Sequence, residues 1–173
     1  AFMILSRIIS SFHNDKGELL IEGLTPTEQD VFELSDEFVK SSLSSKGVEL
    51  FEMDSYSKRL WLEPALSILA IDAPPVAESV NLLIPKAKAK VSLRLPPTED
   101  PDHAMNMLEK HIKENTPFNA NVNFIPEAKG KGILVDPKNE FSSKLIESFN
   151  KNWENEVAYM GVGGLSLIHI SEP

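Results

Sequence analysis

The chain has 173 residues, with 26 acidic and 17 basic side chains, a formal net charge of −9 and a pI of about 4.9. This acidic balance argues against nucleic acid, whose phosphates it would repel, and no apolar run reaches the roughly 18–20 residues of a membrane-spanning helix. Hydrophobic residues make up 42% of the chain, which is typical of a folded globular protein. Cysteine is absent, which excludes disulfides and thiolate zinc sites and fits the reducing cytoplasm.

The first predicted element is an amphipathic helix over residues 2–13. Apolar side chains recur three or four positions apart with polar ones between them, at Phe2, Leu5, Ile8 and Phe12. Because this pattern is already under way at the first residue, we expect the natural N-terminus to lie upstream. A short strand over residues 18–21 follows the next turn.

A second helix is predicted to begin at Thr25-Pro26-Thr27-Glu28. Thr25 can cap the first turn, Pro26 suits the first helical position, and Glu28 stands three residues after the cap. Apolar residues at helical spacing continue to about Ser42. We therefore expect a helix over about 26–43, within an inserted helical segment near 26–56.

Two segments in the middle of the chain predict strands. Ala65 to Ile71 is a nearly continuous apolar run, which is typical of a buried strand. Residues 87–95 alternate strictly, with apolar side chains on one face and four polar ones on the other, namely Lys88, Lys90, Ser92 and Arg94. The proline pair that follows ends this second strand.

A helix, a further strand and a last helix complete the predicted elements. Asp100-Pro101 caps and starts a helix, and residues 119–125 alternate again as a strand would. The flexible run Lys129-Gly130-Lys131-Gly132 is the candidate domain boundary. Asp136-Pro137 is expected to start the last helix.

The order of the central elements predicts the fold class. Helix, strand, strand, helix, strand is the order of a split βαβ unit, so we predict an α+β, ferredoxin-like domain that lacks only its first strand. This layout by itself names no function.

Few side chains indicate chemistry. The four histidines show none of the spacings that would place two imidazoles on one metal ion, and we expect structural or solvent-exposed roles for them. Arg94 differs, because it ends a strand on a polar face. One interpretation is that this face is an ordinary solvent-exposed sheet surface that carries several cationic side chains. The other is that the Arg94 guanidinium binds a carboxylate or phosphate.

Several motifs carry a family resemblance. They are residues 59–68 (RLWLEPALSI), 81–95 (NLLIPKAKAKVSLRL), Glu99-Asp100-Pro101 and Met160-Gly161-Val162-Gly163-Gly164. Together they resemble the M-20 metallopeptidase family, in particular its dipeptidase and carnosinase-like branch. The last of them is similar to the start of that family's Gly-Gly-Ser-Ile-Pro loop.

This resemblance implies a two-domain hydrolase with two bridged divalent metal ions, usually zinc. A water held between the metals attacks an amide bond of a small peptide, and a glutamate acts as general base. By the same resemblance, residues 1–127 correspond to a lid that forms a homodimer, and residues 128–164 to a partial return into the catalytic domain. The family's metal ligands would lie upstream of residue 1 and downstream of residue 164. We therefore expect no catalytic or metal-binding residue in this chain, and no activity from it alone.

The resemblance implies four residues at the substrate site, of which Arg94 and Asn81 are carried over by position. Arg94 matches the lid arginine that binds the carboxylate of the substrate's C-terminal residue. Asn81 lies beside the lid position that reaches into the partner subunit's active site, and Gly163 and Gly164 shape the loop near the substrate. Where the family continues with Ser-Ile-Pro, this chain departs from the pattern, so Ser166 takes no role.

The resemblance thus implies a fragment of a metal-dependent peptidase that acts on dipeptides or related aminoacyl amides. The alternative is a free-standing ferredoxin-like binding module without chemistry. Residues 165–173 resemble translated sequencing-adapter sequence, and we expect a non-native tail there; the alternative is a short terminal strand.

Overall fold

The computed structural model describes residues 1–42, 47, 54–136 and 138–161. Within these ranges it contains five α-helices and two β-strands, which confirms the α+β class. Their bounds are α1 (Phe2–Ser10), α2 (Asp36–Ser42), α3 (Tyr56–Trp61), β1 (Ala65–Asp72), β2 (Lys88–Arg94), α4 (Pro101–Glu114) and α5 (Glu140–Asn152). Among these helices, none combines the length and the apolar character that crossing a bilayer requires.

The two strands form an antiparallel sheet. Leu66 pairs with Leu93 and Ile68 with Val91, and the register slips between Ile68 and Ala70, which leaves Leu69 as a bulge. Along β2, exposed and half-buried residues alternate without exception, as the sequence predicts. One face of the sheet therefore packs on the helices, and the other is polar.

The core lies between this sheet and helices α1 and α4. Its buried apolar side chains are Ile8, Phe12, Ile21, Leu66, Leu108 and Ile112. Leu108 and Ile112 are four residues apart, which places them on one face of α4. Phe12 is 1% exposed and stacks on His111 of α4, with ring centroids 5.5 Å apart. Phe12, two residues beyond the end of α1, thus completes the core.

The two long helices after the sheet begin at polar caps. The Asp100 carboxylate accepts hydrogen bonds from the backbone N–H groups of Asp102 and His103, which confirms the predicted start of α4. The last helix begins later than predicted, at Glu140, because Asn139 is the residue that caps it through the N–H of Ser142. Pro137 lies outside the described residues.

The helix predicted from Thr25 is wrong in its first part. Residues 24–35 form no helix, and α2 begins only at Asp36. Tertiary contacts explain the difference, because the N–H of Thr27 donates to the carbonyl of Leu62 and the N–H of Leu34 donates to Ser57 Oγ, both at 2.8 Å. These bonds replace the intrahelical ones that the capping pattern favours.

Two predicted strands are likewise wrong. Residues 18–21 form only an isolated bridge, between Leu19 and His13, and residues 119–125 form no strand. Phe124 nevertheless packs against the core. An alternation of apolar and polar residues indicates which side chains face an apolar surface. A β-strand requires in addition a neighbouring strand to which its backbone is hydrogen-bonded. The ferredoxin-like sheet order therefore stays a prediction.

Candidate carboxylate-binding site

Arg94 ends β2 on the exposed face of the sheet, where it pairs with Ala65, the first residue of β1. Its neighbours Leu93 and Leu95 are half-buried on the opposite face. Because successive side chains of a strand point to opposite faces, these two residues direct Arg94 toward solvent. Its guanidinium is accessible to a ligand.

Two lysines share this face of β2 with Arg94 but differ from it in their partners. Lys88 lies 3.8 Å from a carboxylate oxygen of Asp72, and Lys90 forms an ion pair with Glu127. Among the residues that the structure describes, no carboxylate lies within 4.0 Å of Arg94. Arg94 can therefore bind an external carboxylate through two parallel hydrogen bonds.

The sheet surface around Arg94 carries small side chains. Ala65 stands opposite Arg94, and Ser92 stands opposite Ser67 on the same face. Both serines are exposed. No bulky neighbour on the sheet therefore blocks the approach of a ligand to the guanidinium, and two hydroxyl groups lie one strand repeat away.

The turn that follows Arg94 is fixed by buried contacts. Pro96 is fully buried. The hydroxyl oxygens of Thr27 and Thr98 lie 2.7 Å apart, and the N–H of Thr98 also donates to Thr27 Oγ1 at 3.3 Å. These contacts tie the end of β2 to the segment before α2, so Arg94 extends from a firmly held strand end.

A buried carboxylate closes the same turn. Glu99 is 7% exposed, and its Oε1 lies 2.7 Å from Nδ1 of His103. The N–H of Thr25 donates to its other oxygen at 3.4 Å. This pair is not among the residues predicted from the sequence, although Glu99 and His103 lie four residues apart across the predicted start of a helix.

The backbone around this turn also affects a neighbouring acid. The N–H of His103 donates to the Asp100 carboxylate and, with the N–H of Asp102, lowers the pKa of that group below its usual value. Burial opposes this shift, and the nearby Lys131 supports it. Asp100 is thus held as a charged cap rather than as an acid that donates protons.

The remaining histidines have structural surroundings. Partial burial lowers the pKa of His13, and the charge of Arg59 lowers it further. His111 is buried, with its Nε2 3.1 Å from Ser11 Oγ and 3.0 Å from the carbonyl of Ser11. His169 lies outside the described residues.

The described side chains do not fit a metal ion. Within residues 1–42, 54–136 and 138–161, no three histidine, aspartate or glutamate side chains come close enough to hold one. Glu99 and His103 form a pair without a third ligand. The side chains of this part of the chain thus offer no site for the metal ions that the family resemblance implies.

Asn81 lies in the connection between the two strands. This connection leaves β1 at Asp72 and enters β2 at Lys88, roughly 20 Å along the strand from Arg94. Asn81 is exposed, as are Leu82 and Leu83 beside it. The connection thus joins the end of the sheet opposite Arg94, and a shared site for Asn81 and Arg94 stays a prediction.

The predicted glycine loop lies just beyond the described residues. Gly163 and Gly164 are outside them, and the description ends at Gly161. A Cβ atom at Gly161 would lie 2.6 Å from Cβ of Trp61 and would also clash with its Cγ, so the backbone there lies directly against this side chain. The backbone that precedes the predicted loop is therefore in direct contact with α3.

Comparison with known proteins decides the family. The sequence profile of the peptidase dimerisation domain of M-20 enzymes matches residues 1–120, well over half of the chain. The chain belongs to the M-20 peptidase family. This result confirms the resemblance that the motifs around Arg59, Arg94 and Glu99 predict.

The relatives of this M-20 chain are longer proteins. A cysteinylglycine-S-conjugate dipeptidase from Corynebacterium striatum is 28% identical over 170 residues, an alignment that covers 92% of this chain but 36% of the relative. The solved di-peptidase Dug1p from Saccharomyces cerevisiae is similar with a TM-score of 0.68 and 20% identity, over 98% of this chain and 38% of Dug1p.

A second solved structure shows the same fold. It is an M-20 family metallo-carboxypeptidase from Sulfolobus solfataricus, with a TM-score of 0.61 and 22% identity, over 86% of this chain and 41% of that protein. The chain thus spans between about a third and two fifths of the length of the relatives it matches.

Proposed function

We propose that this chain is the dimerisation-domain portion of a metal-dependent peptidase that hydrolyses dipeptides or related aminoacyl amides. The observation that carries the proposal is the accessible guanidinium of Arg94 on the polar face of an M-20 dimerisation domain. The names of the similar dipeptidases support this substrate class. A ferredoxin-like order of the complete sheet is part of the same proposal.

Arg94 binds the free carboxylate at the C-terminus of the substrate. A bidentate, charge-assisted contact fixes both the position and the orientation of that carboxylate. In a dipeptide the scissile amide is one residue away, so the contact also places the amide at a set distance from the reacting groups. Arg94 takes no part in breaking the bond; it selects short peptides with a free C-terminus.

Divalent metal ions belong to the intact enzyme in this proposal. They would be bound by side chains outside the described residues and would activate the attacking water. This chain supplies Arg94 and, just after Gly161, the glycines Gly163 and Gly164 that shape the substrate-binding loop.

The domain forms a homodimer with a second copy of itself. The support is the family description of this domain and a group of exposed apolar side chains in the β1–β2 connection, which includes Leu82 and Leu83. Asn81 lies next to these residues and, in the dimer, reaches toward the active site of the partner. A cytoplasmic location is proposed on the absence of cysteine.

The test is a hydrolysis assay on the full-length enzyme that carries this segment. Purified protein, loaded with zinc, is given a series of dipeptides with free and with amidated C-termini. We expect hydrolysis of the free acids, its loss on treatment with a chelator, and its return when zinc is added. If the metal-loaded protein hydrolyses no dipeptide, the peptidase proposal is wrong and the binding-module alternative gains support.

A further inference from the structure

Residues 127–132 form a linker between α4 and α5, and the end of this α4–α5 linker lies against the turn that follows β2. A Cβ atom at Gly132 would lie 2.7 Å from Cα of Pro97 and 3.1 Å from its carbonyl oxygen. Gly132 does not have a positive φ, so its own backbone conformation does not require glycine. The close approach of the Pro97 backbone requires it, because a backbone cannot rotate away as the end of a flexible side chain can.

Two ion pairs hold the linker ahead of this contact. Glu127 pairs with Lys90 on the polar face of β2, and Lys129 pairs with Asp102 in the first turn of α4. The linker is therefore attached at three points, namely to β2, to α4 and to the turn between them. All three points belong to the dimerisation domain.

A further charge of the linker acts on the same end of α4. The backbone N–H of His103 is the main cause of the lowered pKa of Asp100, and the positive charge of Lys131 contributes to that shift. Lys131 thus lies close enough to affect this carboxylate. The two lysines of the linker and the two aspartates at the start of α4 are therefore matched in charge.

The linker is held in place with little burial. Gly132 is half-buried, whereas the other residues of the linker are exposed. The side chains of Lys129 and Asp102 are 43% and 74% exposed, and an ion pair in such a place adds little stability and is screened by salt. Few contacts and little burial are typical of a segment that opens locally while the rest of the fold stays closed.

Gly130 makes the middle of the linker flexible. Among the residues that the structure describes, none has an atom within 4 Å of a Cβ built at Gly130, and Gly130 does not have a positive φ. Neither packing nor backbone conformation therefore requires glycine there. Its remaining effect is on the released chain, because glycine gives an unattached chain the most conformational freedom.

We propose that the α4–α5 linker is a reversible latch between the dimerisation domain and the part of the protein that follows residue 132. In the closed state Gly132 lies on Pro97 and the lysines of the linker face the start of α4. In the open state the linker is a flexible joint, and a rise in ionic strength favours it. Because Pro97 stands three residues after Arg94, the closed latch fixes where the following chain leaves the end of β2. This inference goes beyond the proposed function and makes no use of peptide binding.

Limited proteolysis of the 173-residue chain measures the population of the open latch. Trypsin cleaves after Lys129 when the linker is released, and the initial rate then follows the open population. This rate is compared with that of a synthetic peptide of residues 125–136, whose ratio to the protein is the protection factor. The ratio removes effects of salt on trypsin itself, and mass spectrometry identifies the cleaved bond.

We expect a protection factor after Lys129 of at least about 5 at low salt, in the range of a local opening. It should fall about 1.5- to 5-fold in about 0.5 M NaCl, because exposed ion pairs are weak and are screened there. Cleavage after Lys110, in the middle of α4, should stay much slower at both salt concentrations. A protection factor near one after Lys129, or equal protection after Lys110 and Lys129, would overturn the latch.

A pair of glycine variants tests the contact with Pro97. Gly132→Ala should lower the protection factor after Lys129 at least threefold, because the added methyl group meets the Pro97 backbone. Gly130→Ala is the matched control, since it adds the same group in open space, and it should not lower protection. Each variant is compared with a peptide that carries the same substitution. If the two variants are equally protected, the proposal is wrong.

A pair of charge variants tests the ion pair. Asp102→Asn removes the partner of Lys129 and keeps the cleavage site, so it should lower protection about 1.5- to 5-fold at low salt and weaken the salt dependence. Glu109→Gln removes an acid from the same helix whose partner is Lys113, and it should change neither. The same protection factor and salt dependence in both variants would show that these charges do not close the latch, and would refute the proposal.

Discussion

Arg94 and Ala65 pair across the two-stranded sheet at one end of its register, and Asp72 and Lys88 pair at the other. The second pair brings opposite charges to 3.8 Å, whereas the first places a cation opposite an alanine. The polar face is therefore neutralised at the end where the strands are connected. At the end where α3 enters the sheet, it keeps a cation without a carboxylate neighbour among the described residues.

Replacement of that cation should remove the recognition of a free carboxylate. In the full-length enzyme, we expect Arg94→Ala to lower kcat/KM for free-acid dipeptides about 30-fold to several thousand-fold. Removal of one partner of a desolvated, hydrogen-bonded charge pair costs roughly 2–5 kcal/mol. Arg94 is exposed, so folding should be spared. The measurement is the ratio of kcat/KM for a dipeptide and its C-terminal amide in both enzymes.

Lys90→Ala is the matched control for this variant. Lys90 lies on the same strand and face, but its charge is already paired with Glu127, so its loss should change kcat/KM by only a few-fold. Arg94→Lys should restore part of the activity, because an ammonium cannot make two parallel bonds. If Arg94→Ala lowers kcat/KM equally for the free-acid dipeptide and its amide, or lowers it for neither, Arg94 does not bind the carboxylate.

The sequence predicts those elements that depend on interactions between residues close together in the chain. The alternation along β2 and the Asp100 cap of α4 both depend on neighbouring residues, and both are confirmed. The helix predicted from Thr25 does not form over residues 24–35, because the N–H groups of Thr27 and Leu34 bond to Leu62 and Ser57, far along the chain. A local capping pattern cannot show such a competitor.

The same distinction holds for the candidate site. Arg94 was predicted from its place on a strand face and from the family motif around it. The contact between Trp61 and Gly161 and the burial of Glu99 depend on the tertiary fold. No spacing in the sequence shows which aromatic side chain a distant glycine will meet.

Loss of the central aromatic residue should destabilise the domain strongly. Phe12 is almost fully buried and stacks on His111, so Phe12→Ala should cost about 3–5 kcal/mol through lost burial and the cavity that remains. Urea unfolding followed by circular dichroism measures this. Phe38→Ala removes the same ring from an exposed position and should change stability by less than about 0.5 kcal/mol. Similar losses for both variants would refute the assigned core.

The stability of the chain should depend on pH through His13. The folded state lowers the pKa of His13, so below about pH 6.5 the unfolded chain binds the proton more readily and stability falls as the pH drops. His13→Gln removes this contribution. We expect the variant to gain stability relative to the wild type between pH 7.5 and pH 5, and the two to keep a constant difference above pH 7.5. If the free energies of unfolding of the two proteins keep a constant difference from pH 7.5 to pH 5, the pKa of His13 is not lowered in the folded state.

A single charge in the β1–β2 connection should dissociate the homodimer. Leu83 is 100% exposed within one protomer and stands among other exposed apolar residues, namely Val76, Val80 and Leu82. Soluble monomers rarely expose such a group unless it binds something, and the dimerisation domain of the family indicates a second copy. Because Leu83 makes no buried contact in the protomer, Leu83→Asp should leave the melting temperature of the monomer unchanged.

The oligomeric state of the 173-residue chain is measured by light scattering during size-exclusion chromatography, over a series of protein concentrations. We expect a dimer for the wild type and a monomer for Leu83→Asp at the same concentration. Ile133→Asp introduces the same charge at an apolar residue that is 86% exposed and lies outside the connection, so it should remain dimeric. A wild-type chain that is monomeric at every concentration, or a Leu83→Asp variant that is as dimeric as Ile133→Asp, would show that the connection is not the contact between the two copies.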